Sequence, residues 1–293
     1  MNIFVTSFKI DAISIECLIT VFIIIINNSY SYKVSFIPHE RMAQRSLIVY
    51  YTLRETLNTF DTPKYVNDTR VKEMLHAFHH DCQLTPMEER RLEEFENDDN
   101  MRRKPLIVIE GTDRDTRRMV AKKLAYNLGA MLMSSPPTCL NPMRDYFTDN
   151  LVLRRAYFSL CMYAIAMNVT RNWYNHTVVL GGYWHDQATF SIAKKYTLRS
   201  MPASESPIFE WPDDLIPPDV EFFINVPQNK YEAGAAVNTF KPRLVEAYRR
   251  MKNPSVFEIS GNMYHDQIRF EMEIYLQKLY RDNYRYIINT LNH

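Results

Sequence analysis

The sequence predicts an α/β protein, a three-layer sandwich on a five-stranded parallel sheet that is preceded by a helical segment. Short, fully apolar runs alternate along the chain with longer segments whose apolar residues recur at helical spacing. Strands buried on both faces of a parallel sheet have this apolar character, and strands that alternate with helices favour such a sheet. Hydrophobic residues make up 46% of the 293 residues, enough for a sizeable core.

Each predicted strand is a short apolar run followed by a helical pattern. In the first unit, the run at 106–110 precedes a helix with apolar residues on one face, and Gly129 is expected to end this helix. The other predicted strands lie at 130–134, 177–180, 220–226 and 255–259, and the other helices at about 150–174, 245–251 and 264–288.

Three regions follow from this pattern: an apolar N-terminal segment at 1–41, a helical region at 42–103 and the α/β domain at 104–293. Within the second, residues 64–98 predict a helical hairpin. Its second helix is expected to begin at Thr85-Pro-Met-Glu88, which has a capping residue, a proline at the first helical position and an acidic first turn.

The run Ile13–Ile26 is strongly apolar but is interrupted by Glu16 and shorter than a spanning helix needs. A signal-peptide core, a signal anchor, a buried strand and an upstream extension absent from the mature protein all remain open. It lacks the arginines of a mitochondrial transit peptide, which the stretch from Met42 resembles somewhat more.

The composition excludes several classes of function. The net charge of +1 gives no field that would attract nucleic acid. The four cysteines form no CxxC pair, so we expect buried thiols rather than a zinc site or disulfides. Only 6 glycines occur, although phosphate-cradling loops usually need glycine.

The loop after the first strand stands where a phosphate-binding loop of the pattern GxxxxGK[ST] would lie. Its glycines let amides point at phosphates, its lysine reaches the β- and γ-phosphates, and its hydroxyl holds Mg²⁺. Here Gly111 matches the first glycine, while Thr116, Arg117 and Arg118 replace the second glycine, the lysine and the hydroxyl residue. One of four defining residues therefore remains.

Glu110-Gly-Thr-Asp113 resembles the start of this loop in the thymidylate kinase family, and further stretches resemble its mitochondrial UMP-CMP kinase branch. In order, these stretches are Ser135-Pro-Pro-Thr-Cys139, Arg154-Arg-Ala-Tyr-Phe-Ser-Leu160, Tyr183-Trp-His185 with Ala188-Thr189, Ile208-Phe-Glu-Trp-Pro-Asp-Asp-Leu215 and Tyr248-Arg-Arg-Met-Lys-Asn-Pro254. The resemblance covers roughly residues 105–260 and implies a P-loop NTPase-type fold.

The resemblance also implies the sites. If nucleotide binding is retained, it would involve Gly111, Asp113, Thr116 and Arg117, and the acceptor pocket would involve Arg155, Tyr183, Trp184 and His185. The family has an Asp-Arg pair where this chain has Gly181 and Gly182, and an arginine-bearing lid where Pro227–Val237 has none. No catalytic or metal-binding residue is predicted with these losses.

Several of these residues have a structural alternative. Asp113 could orient an acceptor or cap the next helix, and Arg117 could bind phosphate or serve a structural role. Trp184 and His185 are expected in the core or the pocket wall. The triplets beginning at Asn67, Asn168 and Asn175 match the N-glycosylation signal, a pattern that is common by chance.

The sequence therefore predicts a catalytically degenerate nucleoside monophosphate kinase with a binding or structural role. The alternative is a weakly active kinase that transfers phosphate from ATP to UMP, CMP or dTMP, with ATP and Mg²⁺ as cofactors only in that case. The resemblance implies a mitochondrial location and a possible homodimer. A residual nucleotide is the expected ligand, nucleic acid is not, and a membrane is involved only if residues 12–26 form an uncleaved anchor.

Overall fold

The computed structural model describes residues 49–98, 101–227 and 239–281. The apolar run at 13–26, the stretch 42–48, residues 228–237 of the expected lid and the predicted helix beyond residue 281 lie outside these ranges. Within them, no helix combines the length and the apolar character needed to cross a membrane.

The predicted α/β fold is confirmed. Five strands form one sheet in the order β2-β3-β1-β4-β5, and every neighbouring pair is parallel. The strands are β1 Leu106–Gly111, β2 Met131–Ser134, β3 Val178–Gly181, β4 Val220–Asn225 and β5 Val256–Ser260. Each lies within one or two residues of its predicted position.

The described residues contain eight α-helices. They are α1 Leu53–Phe60, α2 Thr69–His80, α3 Pro86–Glu96, α4 Arg114–Leu128, α5 Leu151–Asn172, α6 Trp184–Lys195, α7 Phe240–Arg250 and α8 His265–Tyr280. Local signals set several ends: Thr85 and Glu88 form a capping box at α3, and Gly129 ends α4 with a left-handed φ of 59°.

Alternate residues of β1 enter two different cores, which is why the strand is apolar throughout. Leu106 and Val108 pack with α1, α2, α3, α5 and α6 on one face of the sheet. Ile107 and Ile109 pack with α4 and α8 on the other face. The carboxyl ends of β1, β2 and β3 therefore open onto one edge between these layers, where ligands bind in open α/β sheets.

The expectation of buried thiols was wrong for two cysteines. Cys82, just after α2, and Cys139, in the loop after β2, form a disulfide with a Cα–Cα distance of 5.6 Å. The two cysteines are 57 positions apart with no spacing motif, so the pairing depends on the tertiary fold. Cys161 matches the expectation as a buried free thiol.

We predict that replacing both Cys82 and Cys139 by alanine lowers the free energy of unfolding by about 2–4 kcal/mol, because the bridge closes a long loop in the unfolded chain. Denaturant unfolding with and without reductant measures this. Reductant should lower the midpoint of the parent protein and leave that of the double variant unchanged; equal midpoints for both proteins under oxidising conditions would contradict the prediction.

Candidate functional site

The segment that replaces the phosphate-binding loop is mostly helix. β1 ends at Gly111 and α4 begins at Arg114, so two residues connect them. Asp113 is the N-cap: its carboxylate accepts a hydrogen bond from the Thr116 amide at 2.7 Å, and its carbonyl accepts one from the Arg117 amide at 3.1 Å. These amides, which would face phosphates in an intact loop, are used inside the helix.

The structure shows the capping role of Asp113, one of the two roles expected for it. Backbone hydrogen bonding from Thr116 also holds the pKa of Asp113 below its ordinary value. Thr112, the other connecting residue, is bonded to β4, because its amide donates to Ile224 and its hydroxyl accepts from the Val226 amide. The connection is fixed at both of its residues.

Arg117 points inward rather than toward solvent. Its side chain is 12% exposed, and its Nη1 lies 2.8 Å from Asp186 Oδ1 and 3.5 Å from Glu110 Oε2. Burial opposes its charge, but the carboxylates of Asp186 and Glu110 outweigh this and raise the pKa of the guanidinium. Arg117 is therefore a charged structural residue whose donors are directed at protein carboxylates.

Glu110 connects β1 to the turn after β3. One carboxylate oxygen accepts from the Tyr183 amide at 2.8 Å and the Asp186 amide at 3.3 Å, and the other accepts from the Tyr248 hydroxyl at 3.4 Å. Complete burial, with the nearby charge of Asp186, raises the pKa of Glu110 well above its usual range, and Arg117 opposes this shift. Glu110 thus holds its proton to higher pH than an exposed glutamate.

The two glycines that replace the Asp-Arg pair differ in their surroundings. Gly182 has a φ of +84°, and a Cβ there would lie 3.0 Å from Cζ of Arg117. Gly181, at the end of β3, would place a Cβ at 3.8 Å from Cβ of Ala121, an ordinary contact. The Arg117 guanidinium therefore lies where a side chain at position 182 would begin.

A pocket of about 390 Å³ opens beside this cluster at the carboxyl ends of the strands. Its basic lining consists of Arg114, Arg117, Arg144, Arg154 and Arg155, and Asp186 is the one carboxylate among its described lining residues. Since Asp186 pairs with Arg117, the other arginines of this part of the chain face the pocket without an ion-pair partner. The pocket is suited to an anion.

The apolar wall of the pocket is formed by α5 and α6. Phe158 and Met162 come from α5, and Phe190 comes from α6. The guanidinium of Arg154 lies 5.6 Å from the ring centroid of Phe158. Nε of Arg155 is buried and has no hydrogen-bond partner within the described structure. One donor of a lining arginine therefore lacks a partner among the described residues.

The structure divides the residues expected from the sequence into two groups. Arg117, Gly181, Gly182, Arg155 and Tyr183 line the pocket, whereas Gly111, Asp113, Thr116, Arg118, Trp184 and His185 do not. Sequence reasoning missed Arg114, Arg144, Arg154 and Asp186 as lining residues. The adjacent Arg154-Arg155 pair was visible in the sequence, but no local pattern marks Arg144.

Trp184 and His185 occupy the core, the structural alternative, rather than the pocket that the resemblance implies for them. Trp184 is 3% exposed and donates from Nε1 to the carbonyl of Tyr50 at 3.0 Å. His185 is fully buried, and its Nδ1 lies 2.6 Å from Oε1 of Glu221 on β4. Neither side chain reaches the pocket. Arg118 is 75% exposed and contacts Asp115 on its own helix.

Comparison with known proteins finds a relative for part of this chain. Over 175 residues, 54% of the chain, the sequence is 28% identical to human "UMP-CMP kinase 2, mitochondrial", of which the match covers 39%. The chain is related to the thymidylate-kinase-like nucleoside monophosphate kinases. The relationship covers well under half the length of that relative, and no family model matches the chain.

A solved thymidylate kinase from Candida albicans is 16% identical, with a TM-score of 0.47. The similarity covers 62% of this chain and 94% of the Candida protein. The five-stranded parallel sheet, with the pocket at its carboxyl edge, is the feature of this chain that establishes the fold class.

We predict that Gly182→Ala destabilises the protein by at least about 1–2 kcal/mol, the cost of a left-handed conformation for a residue with a Cβ, and that the contact with Arg117 adds to this. Gly181→Ala is the matched control and should change stability little. Denaturant midpoints of both variants measure the difference; equal destabilisation by the two substitutions would contradict the packing described.

We predict that Glu110→Gln removes a pH-dependent component of stability. Because the pKa of Glu110 is raised in the folded state, the unfolded chain loses this proton first, near the ordinary value of 4.5. Stability from this group is therefore full below that pH. It falls by about 1.4 kcal/mol for each pH unit as the pH rises from there toward the folded pKa.

Unfolding free energies of the parent and of Glu110→Gln, measured from pH 4 to pH 8, give the comparison. The unfolding free energy of the variant should increase relative to that of the parent as pH rises, because glutamine retains an acceptor for the Tyr183 amide and carries no charge. A difference that does not change with pH would show that Glu110 is not perturbed by its surroundings.

Proposed function

We propose that this chain is a catalytically degenerate relative of the nucleoside monophosphate kinases, which binds a nucleoside monophosphate in the arginine-lined pocket without transferring phosphate from ATP. One observation carries this proposal: the guanidinium of Arg117 is ion-paired with Asp186 at 2.8 Å and also lies 3.5 Å from the carboxyl group of Glu110. The side chain at the position of the phosphate-binding lysine is thereby directed at carboxylates.

Phosphoryl transfer depends on positioning and charge stabilisation around ATP·Mg²⁺, and the residues present do not fit that group. The amides of Thr116 and Arg117 are bonded to Asp113 within α4. Arg118, at the position of the Mg²⁺-binding hydroxyl, is a cation exposed on the helix surface. A cation cannot ligate Mg²⁺, and the two-residue connection leaves no loop to surround phosphates.

The side of the pocket formed by α5 and Arg144, where the acceptor would bind, is suited to binding an anion. Arg144, Arg154 and Arg155 converge on it without carboxylate partners among the described residues, and Phe158 offers an aromatic face. Arginine binds phosphate oxygens in bidentate fashion, and planar bases stack on aromatic rings. A monophosphate whose base is a pyrimidine, as in the name of the human relative, combines these two chemistries.

The relative's name gives a mitochondrial location, and the resemblance gives a possible homodimer. Both come from the resemblance alone, and the proposed binding role requires neither. The competing function, a weakly active kinase acting on UMP, CMP or dTMP, differs in one measurable requirement. A kinase must bind ATP·Mg²⁺ and turn over, whereas the proposed protein binds the monophosphate alone.

We predict that the purified protein shows no turnover of UMP, CMP or dTMP with ATP and Mg²⁺ in a coupled assay, against about 1–100 s⁻¹ for typical kinases. Calorimetry should detect UMP or CMP binding and no ATP·Mg²⁺ binding. Arg155→Ala should lower the affinity for the monophosphate at least about tenfold, because it removes a charged hydrogen-bond donor.

Arg118→Ala is the matched control, since it removes an arginine that does not line the pocket, and it should leave affinity unchanged. Uridine and cytidine, which lack the phosphate, should bind more weakly than their monophosphates. Turnover within the kinase range, or tight ATP·Mg²⁺ binding, would replace this proposal by the weakly active kinase. Absence of monophosphate binding would remove the binding role.

A further inference from the structure

The Cys82–Cys139 disulfide lies outside the site and has no part in the proposed function. Cys82 is fully buried, and the described free thiol, Cys161, is buried as well. No exposed described thiol stands beside the bridge to exchange with it, so the bridge is structural rather than catalytic. Structural disulfides form and persist in oxidising compartments, chiefly along the secretory route, and are rare where glutathione keeps thiols reduced.

The three N-glycosylation triplets provide a second, independent observation. Asn67 is exposed in the connection between α1 and α2, and Thr69, the third residue of its triplet, is exposed too. Asn175 is exposed in the turn after α5. Asn168 is different, because it lies within α5, is half-buried and accepts a hydrogen bond from Arg171. Two of the three acceptor asparagines are thus on the surface, in connections between elements.

The position of Asn175 is compatible with a retained ligand pocket. It precedes β3 at the amino end of the strand, and the pocket opens at the carboxyl end, beside Gly181 and Gly182. A bulky group on Asn175 would therefore project from the edge of the sheet opposite the pocket. N-linked glycans occupy surface loops of this kind in secreted proteins.

We propose that this chain matures in the secretory pathway, where the Cys82–Cys139 disulfide forms and Asn67 and Asn175 receive N-linked glycans. In this transfer the side-chain amide nitrogen forms a bond to C1 of an oligosaccharide, the bond from C1 to a lipid diphosphate breaks, and the amide proton leaves with the lipid diphosphate. Transfer takes place on the nascent chain, so the later burial of Thr177 does not prevent it. The acceptor asparagine, by contrast, must leave room for its glycan in the folded protein, which the exposed Asn67 and Asn175 do and the half-buried Asn168 within α5 does not.

This proposal selects the signal or signal-anchor interpretation of the apolar run Ile13–Ile26 and competes with the mitochondrial location suggested by the relative. A mitochondrial compartment that supports disulfides would account for the cysteine pair but would leave the asparagines unmodified. Glycan occupancy therefore distinguishes the two locations, and the disulfide alone does not.

The test is expression of the full chain in cultured animal cells, followed by peptide-N-glycosidase treatment and gel electrophoresis under reducing conditions. Treatment should lower the apparent mass of the parent by the mass of two glycans, and each glycan is counted below as one step. Asn67→Gln and Asn175→Gln should each remove one step, and Asn168→Gln should remove none. Thr69→Ala should remove the Asn67 step, and Thr69→Ser should restore it, which shows that the triplet rather than the local fold is recognised.

Mass spectrometry of the non-reduced protein should find a peptide that joins Cys82 to Cys139. A chain insensitive to the glycosidase overturns the proposal, whether or not the disulfide is present, and so does occupancy of Asn168 alone. A single glycan on Asn67 or Asn175 supports the compartment and overturns the assignment of the other asparagine. Reduced Cys82 and Cys139 in freshly alkylated cells overturn the oxidising compartment.

Discussion

The ion pair between Arg117 and Asp186, with Glu110 beside it, is the interaction on which the rest of the site depends. It joins a strand of the sheet to two helices: Glu110 belongs to β1, Arg117 to α4 and Asp186 to the first turn of α6. Glu110 also accepts from the amides that begin α6. The cluster thus fixes the turn after β3 and one wall of the pocket together.

This cluster is costly to desolvate, so its value lies more in arrangement than in net stability. Buried ion pairs often contribute little stability compared with apolar packing. Removal of one partner, however, leaves an unpaired buried charge and destabilises the protein by about 3–5 kcal/mol. Because Arg117 is buried beside Asp186 and Glu110, a Cβ at position 182 would lie 3.0 Å from Cζ of Arg117, and a side chain there would have to shift the guanidinium. The substitutions at Arg117 and Gly182 are therefore structurally coupled rather than independent losses.

The coupling divides the pocket into two halves of different chemistry. On the side of α4, positive charge is neutralised within the protein and the backbone amides are used by the helix cap. On the side of α5, the arginines keep their donors directed at the pocket. Under the proposed function, the α5 side would recognise one phosphate group and the α4 side would take no part in phosphoryl transfer.

The sequence by itself determined the sheet, because apolar runs such as Leu106–Ile109 have a local cause, burial on both faces of a parallel strand. It also determined where locally capped helices begin and end, as at Thr85 and Gly129. The departure of residues 116–118 from the phosphate-loop pattern is visible in the sequence as well. Only the tertiary structure decided the direction of Arg117, the capping role of Asp113 and the pairing of Cys82 with Cys139. These depend on partners distant in sequence, and no pattern of neighbouring residues specifies which distant groups the fold brings within bonding distance.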